Sequence, residues 1–315
     1  MPCIRNASVT AGLKCAPDTG PSSSISTYNP AAVAAALANS ATATFPAASR
    51  SPMIPLPTIA RSADPAVLER GKHIVESIGA CSSKDCHGSD LGGGDAIKMG
   101  PLGSMQAPNI SASGRGAEYS DTELARLILH GVKRDGHGLT FMPAPDFAWW
   151  PDDDVAAVIS YLRTVPAAAV RPSGGIQLGT LAKVLDRVNM LPIDVARRID
   201  HEHRPLAPAP APTAAYGTFL AHACRGCHGA TLSGGRIPGA PPEMAIPLNI
   251  TPHETGLAGW AYTDFDKLLS TGIRRNGKTL DPMMPVTELG KFNQTERQAL
   301  WAFLQTVPAK PFGER

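Results

Sequence analysis

The stretch Cys224-Arg225-Gly226-Cys227-His228 decides the fold prediction for this chain of 315 residues. A similar stretch, Cys81-Ser82-Ser83-Lys84-Asp85-Cys86-His87, occurs earlier, with four residues instead of two between its cysteines. In both stretches a histidine follows the second cysteine directly. The next residues are also shared, because His-Gly-Ser-Asp-Leu-Gly-Gly from position 87 returns as His-Gly-Ala-Thr-Leu-Ser-Gly from position 228.

Three further matches recur at nearly the same distance along the chain. They pair residues 107–111 with 247–251, residues 141–143 with 283–285, and residues 161–166 with 303–308. Four separate matches at nearly one offset indicate two copies of one domain, each of about 95–100 residues. We place the copies at 61–166 and 213–310. The linker between them, 167–212, is predicted to contain a helical segment, because Leu178, Leu181 and Leu185 are at helical spacing.

The spacing of Cys224, Cys227 and His228 is typical of covalent haem attachment. Two thiols on one helical turn can each add to a vinyl group of haem, and the adjacent imidazole then faces the iron as an axial ligand. A zinc site would need a second ligand pair, which this copy lacks. A redox-active pair would be expected in a βαβ setting, for which the sequence gives no sign.

The widened motif predicts the same chemistry for Cys81, Cys86 and His87, provided that the intervening backbone bulges. We expect attachment through both thiols, with His87 as the axial ligand. Attachment through Cys86 alone and an empty site are the two alternatives.

An iron that carries electrons needs a sixth ligand, and a thioether sulfur stabilises its ferrous form. Met142 follows His87 at nearly the same distance along the chain as Met284 follows His228, and each methionine precedes a proline. A methionine in apolar surroundings is ordinarily a packing residue, but the repeated position favours axial ligands. Met283 is the rival candidate in the second copy.

Composition limits the remaining possibilities. The net charge of +2 does not favour a nucleic-acid or anionic-membrane binder. No run of 18 apolar residues occurs, which predicts no transmembrane helix. Residues 1–60 are rich in Ala, Ser, Thr and Pro, and we predict them to be disordered or weakly structured, without a convincing signal peptide. Cys3 and Cys15 lie there and receive no role.

Hydrophobic periodicity predicts an all-α fold. The expected helices cover Pro65–Ile78, a segment beginning with a Ser120–Glu123 capping box, Asp152–Thr164, Ala214–His222, Thr263–Gly272 and Asn293–Thr306. Six histidines lack a repeated position and are predicted to be surface or loop residues: His130, His137, His201, His203, His222 and His253.

The motifs resemble the class I cytochrome c family over about 64–166 and 213–309. The second copy is similar to the cytochrome subunits of membrane-associated alcohol, gluconate and sorbitol dehydrogenases. The similar stretches are Cys-Arg-Gly-Cys-His-Gly at 224–229, Leu-Asn-Ile-Thr-Pro at 248–252, Thr-Gly-Leu-Ala-Gly-Trp at 255–260, Asp264-Phe265-Asp266 and Met284-Pro285. The resemblance implies two tandem cytochrome c-type helical domains, each wrapped around a covalent haem c.

The resemblance also implies an electron-transfer protein rather than an enzyme. Its partners would be a dehydrogenase donor and an oxidase or quinone-linked acceptor of a respiratory chain, on the periplasmic side of the membrane. A haem enzyme, such as a dihaem peroxidase or a sulfur-compound dehydrogenase, is the first alternative. A non-haem structural or metal-binding module is the second.

Overall fold

The structure, a computed structural model, describes residues 54, 57–169, 171, 175–188, 190–191, 193–204, 207–238, 240 and 242–315. All of them lie in one unit of the chain, 45–315. The prediction for residues 1–60 falls mostly outside the described residues, as do Cys3 and Cys15. Among the described residues, no helix is long and apolar enough to cross a bilayer.

Four α-helices lie in the described part of the first half. They are α1 (Pro65–His73), α2 (Asp121–His130), α3 (Ala144–Phe147) and α4 (Asp152–Leu162). Helix α1 continues into a π-helical turn, Ile74–Ile78, and short 3₁₀ turns occur at Gly100–Leu102 and Arg115–Glu118. The predicted capping box is confirmed, because Ser120 Oγ accepts from the Glu123 amide and the Glu123 carboxylate accepts from the Ser120 amide.

The second half has a similar order of helices. It contains α6 (Ala214–Leu220), α7 (His222–His228), α8 (Tyr262–Thr271), α9 (Val286–Leu289) and α10 (Gln294–Leu304). Helix α10 begins with a second capping box, between Asn293 and Glu296. Helix α2 ends at Gly131 and helix α8 ends at Gly272. Both glycines have the left-handed backbone conformation, which glycine adopts more easily than other residues.

A small sheet, formed by two strands of the first copy and one of the connector, departs from the all-α prediction. Strands β1 (Ile97–Lys98), β2 (Gly103–Met105) and β3 (Ile176–Leu178) form an antiparallel sheet in the order β1-β2-β3. The helical segment predicted in the linker is present as α5, which covers Thr180–Arg187, and a 3₁₀ turn follows at Val195–Arg198. Leu178, predicted on a helical stripe, lies in β3 because Gly103 pairs with it across the sheet.

The opening and closing helices cross closely in both halves. Gly71 of α1 lies against the backbone carbonyl of Ala157 in α4, and a Cβ built at this glycine would be 2.5 Å from the carbonyl carbon. Gly217 of α6 has the same relation to Ala299 of α10, with a corresponding distance of 2.6 Å. Both crossings therefore require a residue without a side chain.

One hydrophobic core runs through both halves. Ile74, Leu129 and Ile159 of the first half and Leu232 and Leu304 of the second are among its fully buried members. Burying this apolar surface is the main force that holds the helices together.

Candidate haem sites

The first candidate site is built around His87, whose ring is held by a backbone carbonyl. Its Nδ1 lies 2.7 Å from the oxygen of Pro108. A carbonyl only accepts hydrogen bonds, so Nδ1 carries the proton, and the lone pair of the neutral ring lies on Nε2. Burial lowers the pKa of His87, which favours that neutral ring. His87 thus presents the nitrogen that a metal ion binds, oriented in the way that ligating histidines usually are.

The second candidate site reproduces this arrangement. His228 is the last residue of α7, is buried, and places Nδ1 2.7 Å from the oxygen of Leu248. Burial lowers the pKa of His228 as well. Pro108 and Leu248 occupy equivalent positions in the two copies of the repeat.

The loop after each histidine has one conformation in both halves. The amide of Gly93 donates to the oxygen of His87, and the amide of Gly234 donates to that of His228, both over 2.9 Å. Buried Leu91 and Leu232 have the positive φ values of 57° and 65° that are uncommon outside glycine. This shared strain supports a common site architecture.

None of the four motif cysteines forms a disulfide. Burial raises the pKa of Cys81 and of Cys224 to about 12, and it also raises the pKa values of Cys86 and Cys227. These shifts are opposite to the lowered pKa of a reactive redox thiol. Among the described residues, no group of three or more His, Cys, Asp or Glu side chains is arranged to hold a metal ion.

The widened motif is accommodated by a non-helical loop rather than by a helix. The amide of His87 donates to the oxygen of Cys81 over 2.9 Å, and the amide of Gly88 donates to the oxygen of Ser83. In the second half the same segment is α7, where the amide of Gly229 donates to the oxygen of Arg225. The two additional residues therefore lie in a bulge of the first motif.

Met142 and Met284 each precede a tight turn at proline. The oxygen of Met142 accepts from Ala144, and that of Met284 accepts from Val286, both over 2.7 Å. The intervening prolines have φ and ψ of −77° and 52° and of −76° and 65°, which define an inverse γ-turn. Both methionines are half-buried, whereas Met283 is 37 % exposed.

Residues 68–166 match the cytochrome c family. This part of the chain is a cytochrome c domain. The prediction of that family is therefore confirmed here, and a cytochrome c domain implies covalently bound haem c. The donor set described above fits this group, because the domain offers paired thiols followed by an imidazole whose Nε2 is available.

Several curated proteins resemble the chain. The gluconate 2-dehydrogenase cytochrome c subunit of Pantoea cypripedii is 34% identical over 94 residues, which cover 28% of this chain and 21% of that protein. The fructose dehydrogenase cytochrome subunit of Gluconobacter japonicus is 32% identical over 115 residues, covering 33% and 24%. A nicotinate dehydrogenase subunit of Pseudomonas putida is 34% identical over 110 residues, covering 29% and 9%. The chain thus spans less than a quarter of the length of these relatives.

The structure also corrects one prediction about residues near the cytochrome c motifs. His130, predicted at the surface, is buried at the end of α2, and its Nδ1 lies 3.2 Å from Nδ1 of His201. Helical periodicity gives no signal for this burial, because the partner, His201, lies 71 residues away in the connector. Its burial lowers its pKa to about 4.

Proposed function

We propose that the chain is a dihaem c-type cytochrome that passes single electrons between a dehydrogenase partner and a respiratory acceptor. The observation that carries this proposal is the repetition of the site. A histidine held at 2.7 Å by a loop carbonyl follows a cysteine pair in each half. The second half, 213–310, is proposed to be a second cytochrome c domain on the same grounds.

The proposed roles follow from the donor chemistry. Cys81, Cys86, Cys224 and Cys227 would attach the two haems through thioether bonds, and His87, Met142, His228 and Met284 would be the axial ligands. Haem c supplies reversible one-electron chemistry when bound.

The chain's own residues would keep each site rigid. The carbonyls of Pro108 and Leu248 fix the imidazole rings, and the proline turns after Met142 and Met284 fix the backbone that carries the thioethers. A ligand set that is held in this way changes little between redox states. The buried leucines of the two loops, Leu91 and Leu232, would exclude water from the sites.

The bulged loop supports attachment through both thiols of the first motif. The His87 amide donates to the Cys81 oxygen, so the bulge closes on itself and holds the first and last residues of the motif together. The two extra residues lie between the cysteines. His87 still follows Cys86 directly, as His228 follows Cys227.

The relatives support the assignment of a dehydrogenase as the electron donor. They are cytochrome subunits of gluconate 2-dehydrogenase and fructose dehydrogenase, and a subunit of nicotinate dehydrogenase. We extend the proposal to an oxidase or quinone-linked acceptor and to a periplasmic location, where haem c is attached.

A redox titration of the purified full chain tests this function. We expect two reversible one-electron steps, a low-spin spectrum in both oxidation states, and no turnover of peroxide or thiosulfate. Met142→Ala and Met284→Ala should each convert one site to a high-spin form. Turnover of peroxide or thiosulfate by the wild-type protein, with a high-spin site, would instead identify an enzyme.

A further inference from the structure

Two contacts between the halves are related by the repeat: Trp149 is equivalent to Lys291, and His222 is equivalent to Glu76. The ring of Trp149 packs on that of His222, with 3.8 Å between the ring centroids, and Lys291 Nζ lies 3.3 Å from Glu76 Oε2. Trp149 and Lys291 each lie seven residues after a candidate methionine ligand, and Glu76 and His222 each lie five residues after a helix-crossing glycine. The halves therefore meet reciprocally, as the subunits of an isologous dimer do.

The segments that follow the two methionines continue this reciprocity. Asp146 and Glu288 each lie four residues after a methionine. Helix α9, which carries Glu288, contacts the π-helical turn Ile74–Ile78 of the first half, and Trp149, three residues after Asp146, packs on His222 of the second half. Each half thus places its methionine-side segment against the other half, next to the segment that leads into its cysteine motif.

A buried ion network fixes this pairing. Glu296 is 1 % exposed, and its carboxylate lies 2.8 and 3.0 Å from Nε2 of His73 in the other half. Arg70 lies beside the same carboxylate, at 3.8 Å, and bonds Asp154 of its own half through two nitrogens at 2.9 and 2.8 Å. A carboxylate that is buried so completely is costly to leave unpaired, so the halves are held in one relative position.

Two consecutive tryptophans connect the cysteine motifs at this interface. Trp149 packs on His222, which lies two residues before Cys224 in α7. Trp150 is 4 % exposed and lies at the first motif instead. A Cβ built on Gly79 would be 2.8 Å from the Trp150 indole and 3.1 Å from Sγ of Cys81, so the indole lies directly beside that motif.

We infer that Trp149 and Trp150 form an aromatic bridge that couples the two haem sites, so that electrons equilibrate between them within one chain. This inference rests on the proposed function, since it requires both sites to hold haem. The step moves one electron, so one site is oxidised as the other is reduced. No bond forms or breaks and no proton moves. Trp149 is a positioning residue in this step, and its repeat equivalent Lys291 is the matched control.

Pulse radiolysis of the full chain, with less than one electron delivered per molecule, tests the bridge. All variants carry Met284→His. Methionine ligation raises the reduction potential of a haem, so this change lowers the potential of the second site and makes electron transfer from the second site to the first favourable. We expect a redistribution of absorbance whose rate does not depend on protein concentration. Trp149→Leu should slow it on the order of tenfold, since small displacements of reacting groups have large effects.

Three further measurements make the result decisive. Lys291→Met should leave the rate within about twofold of its parent, and Trp149→Phe, which keeps a ring on His222, should restore most of the rate lost in Trp149→Leu. The haem count and the two redox potentials of Trp149→Leu should match those of the parent. If that variant does not fold, His222→Leu removes the same contact from the other side.

Equal rates in Trp149→Leu and Lys291→Met would overturn the bridge, and so would a rate proportional to protein concentration or the absence of any redistribution. If two haems are present, these results leave the proposed function intact. A chain with fewer than two haems would refute the proposed function itself.

Discussion

The helix crossing at Gly71 yields a quantitative prediction. A Cβ at this position would be 2.5 Å from the carbonyl carbon of Ala157 and 2.9 Å from Cβ of Tyr161, whereas ordinary contacts begin at 3.4 Å. The obstacle is mainly backbone of α4, which cannot rotate away. The substitution Gly71→Ala must therefore push the two helices apart by roughly 1 Å, which places it among overpacking changes.

The expected magnitude combines two opposing effects. Overpacking costs about 1–3 kcal/mol, and a clash with backbone belongs at the upper end. Alanine gains about 1 kcal/mol over glycine in helix propensity. We expect a net loss of about 2 kcal/mol in the free energy of unfolding, which corresponds to a drop in Tm of about 4–8 °C for a unit of this size.

Thermal and urea unfolding, followed by circular dichroism, measure this loss. Gly217→Ala should cost a similar amount, because the second crossing is equally close. Gly226→Ala is the matched control: this helical glycine has nothing within 4 Å of a built Cβ, so the change should be neutral or slightly stabilising. If Gly71→Ala were no more destabilising than Gly226→Ala, the close crossing would be wrong.

Three other predictions concern charge and attachment. Glu296→Gln should destabilise the chain by about 1–3 kcal/mol in urea unfolding, because it takes the buried carboxylate away from its two basic partners in α1, whereas Glu69→Gln on the exposed side of α1 should change little. Burial raises the pKa of Asp146 to about 6, so this residue destabilises the fold progressively as pH rises from about 4 to 6, because the unfolded chain releases its proton more easily than the folded one. The difference in unfolding free energy between wild type and Asp146→Asn should therefore grow across that window and level off above it; a constant difference would contradict the assignment. Cys81→Ser should retain a covalent haem through Cys86 but shift its absorption band to longer wavelength, because one vinyl group stays conjugated, and an unchanged band would show that Cys81 is idle.

Local signals make much of the helical architecture predictable. The capping boxes at Ser120 and Asn293 are short-range patterns, and both mark a helix start in the structure. The repeat also pairs the two motif histidines, whose rings prove to be held by equivalent carbonyls. The capping signals depend on residues within a few positions of one another, which is why the sequence alone reveals them.

Features made by distant residues escape prediction. The sheet joins β2 to β3, which lie far apart in the sequence, and strands of two or three residues carry no detectable alternation. The contact of Trp149 with His222 and the burial of Glu296 depend on how the halves pack, which periodicity does not encode. The surface prediction for His130 is wrong because the connector covers this residue and supplies His201 as its partner.

Counting the covalent haems per chain tests the proposed function most directly. A pyridine-haemochrome assay with protein quantitation, on full-length chain matured in a periplasm, should give two haems. The double variant Cys224→Ser/Cys227→Ser should give one, held by the bulged motif. A wild-type value of one would refute the dihaem function and show that only one half is a haem domain, and a value of zero would also refute electron transfer through haem.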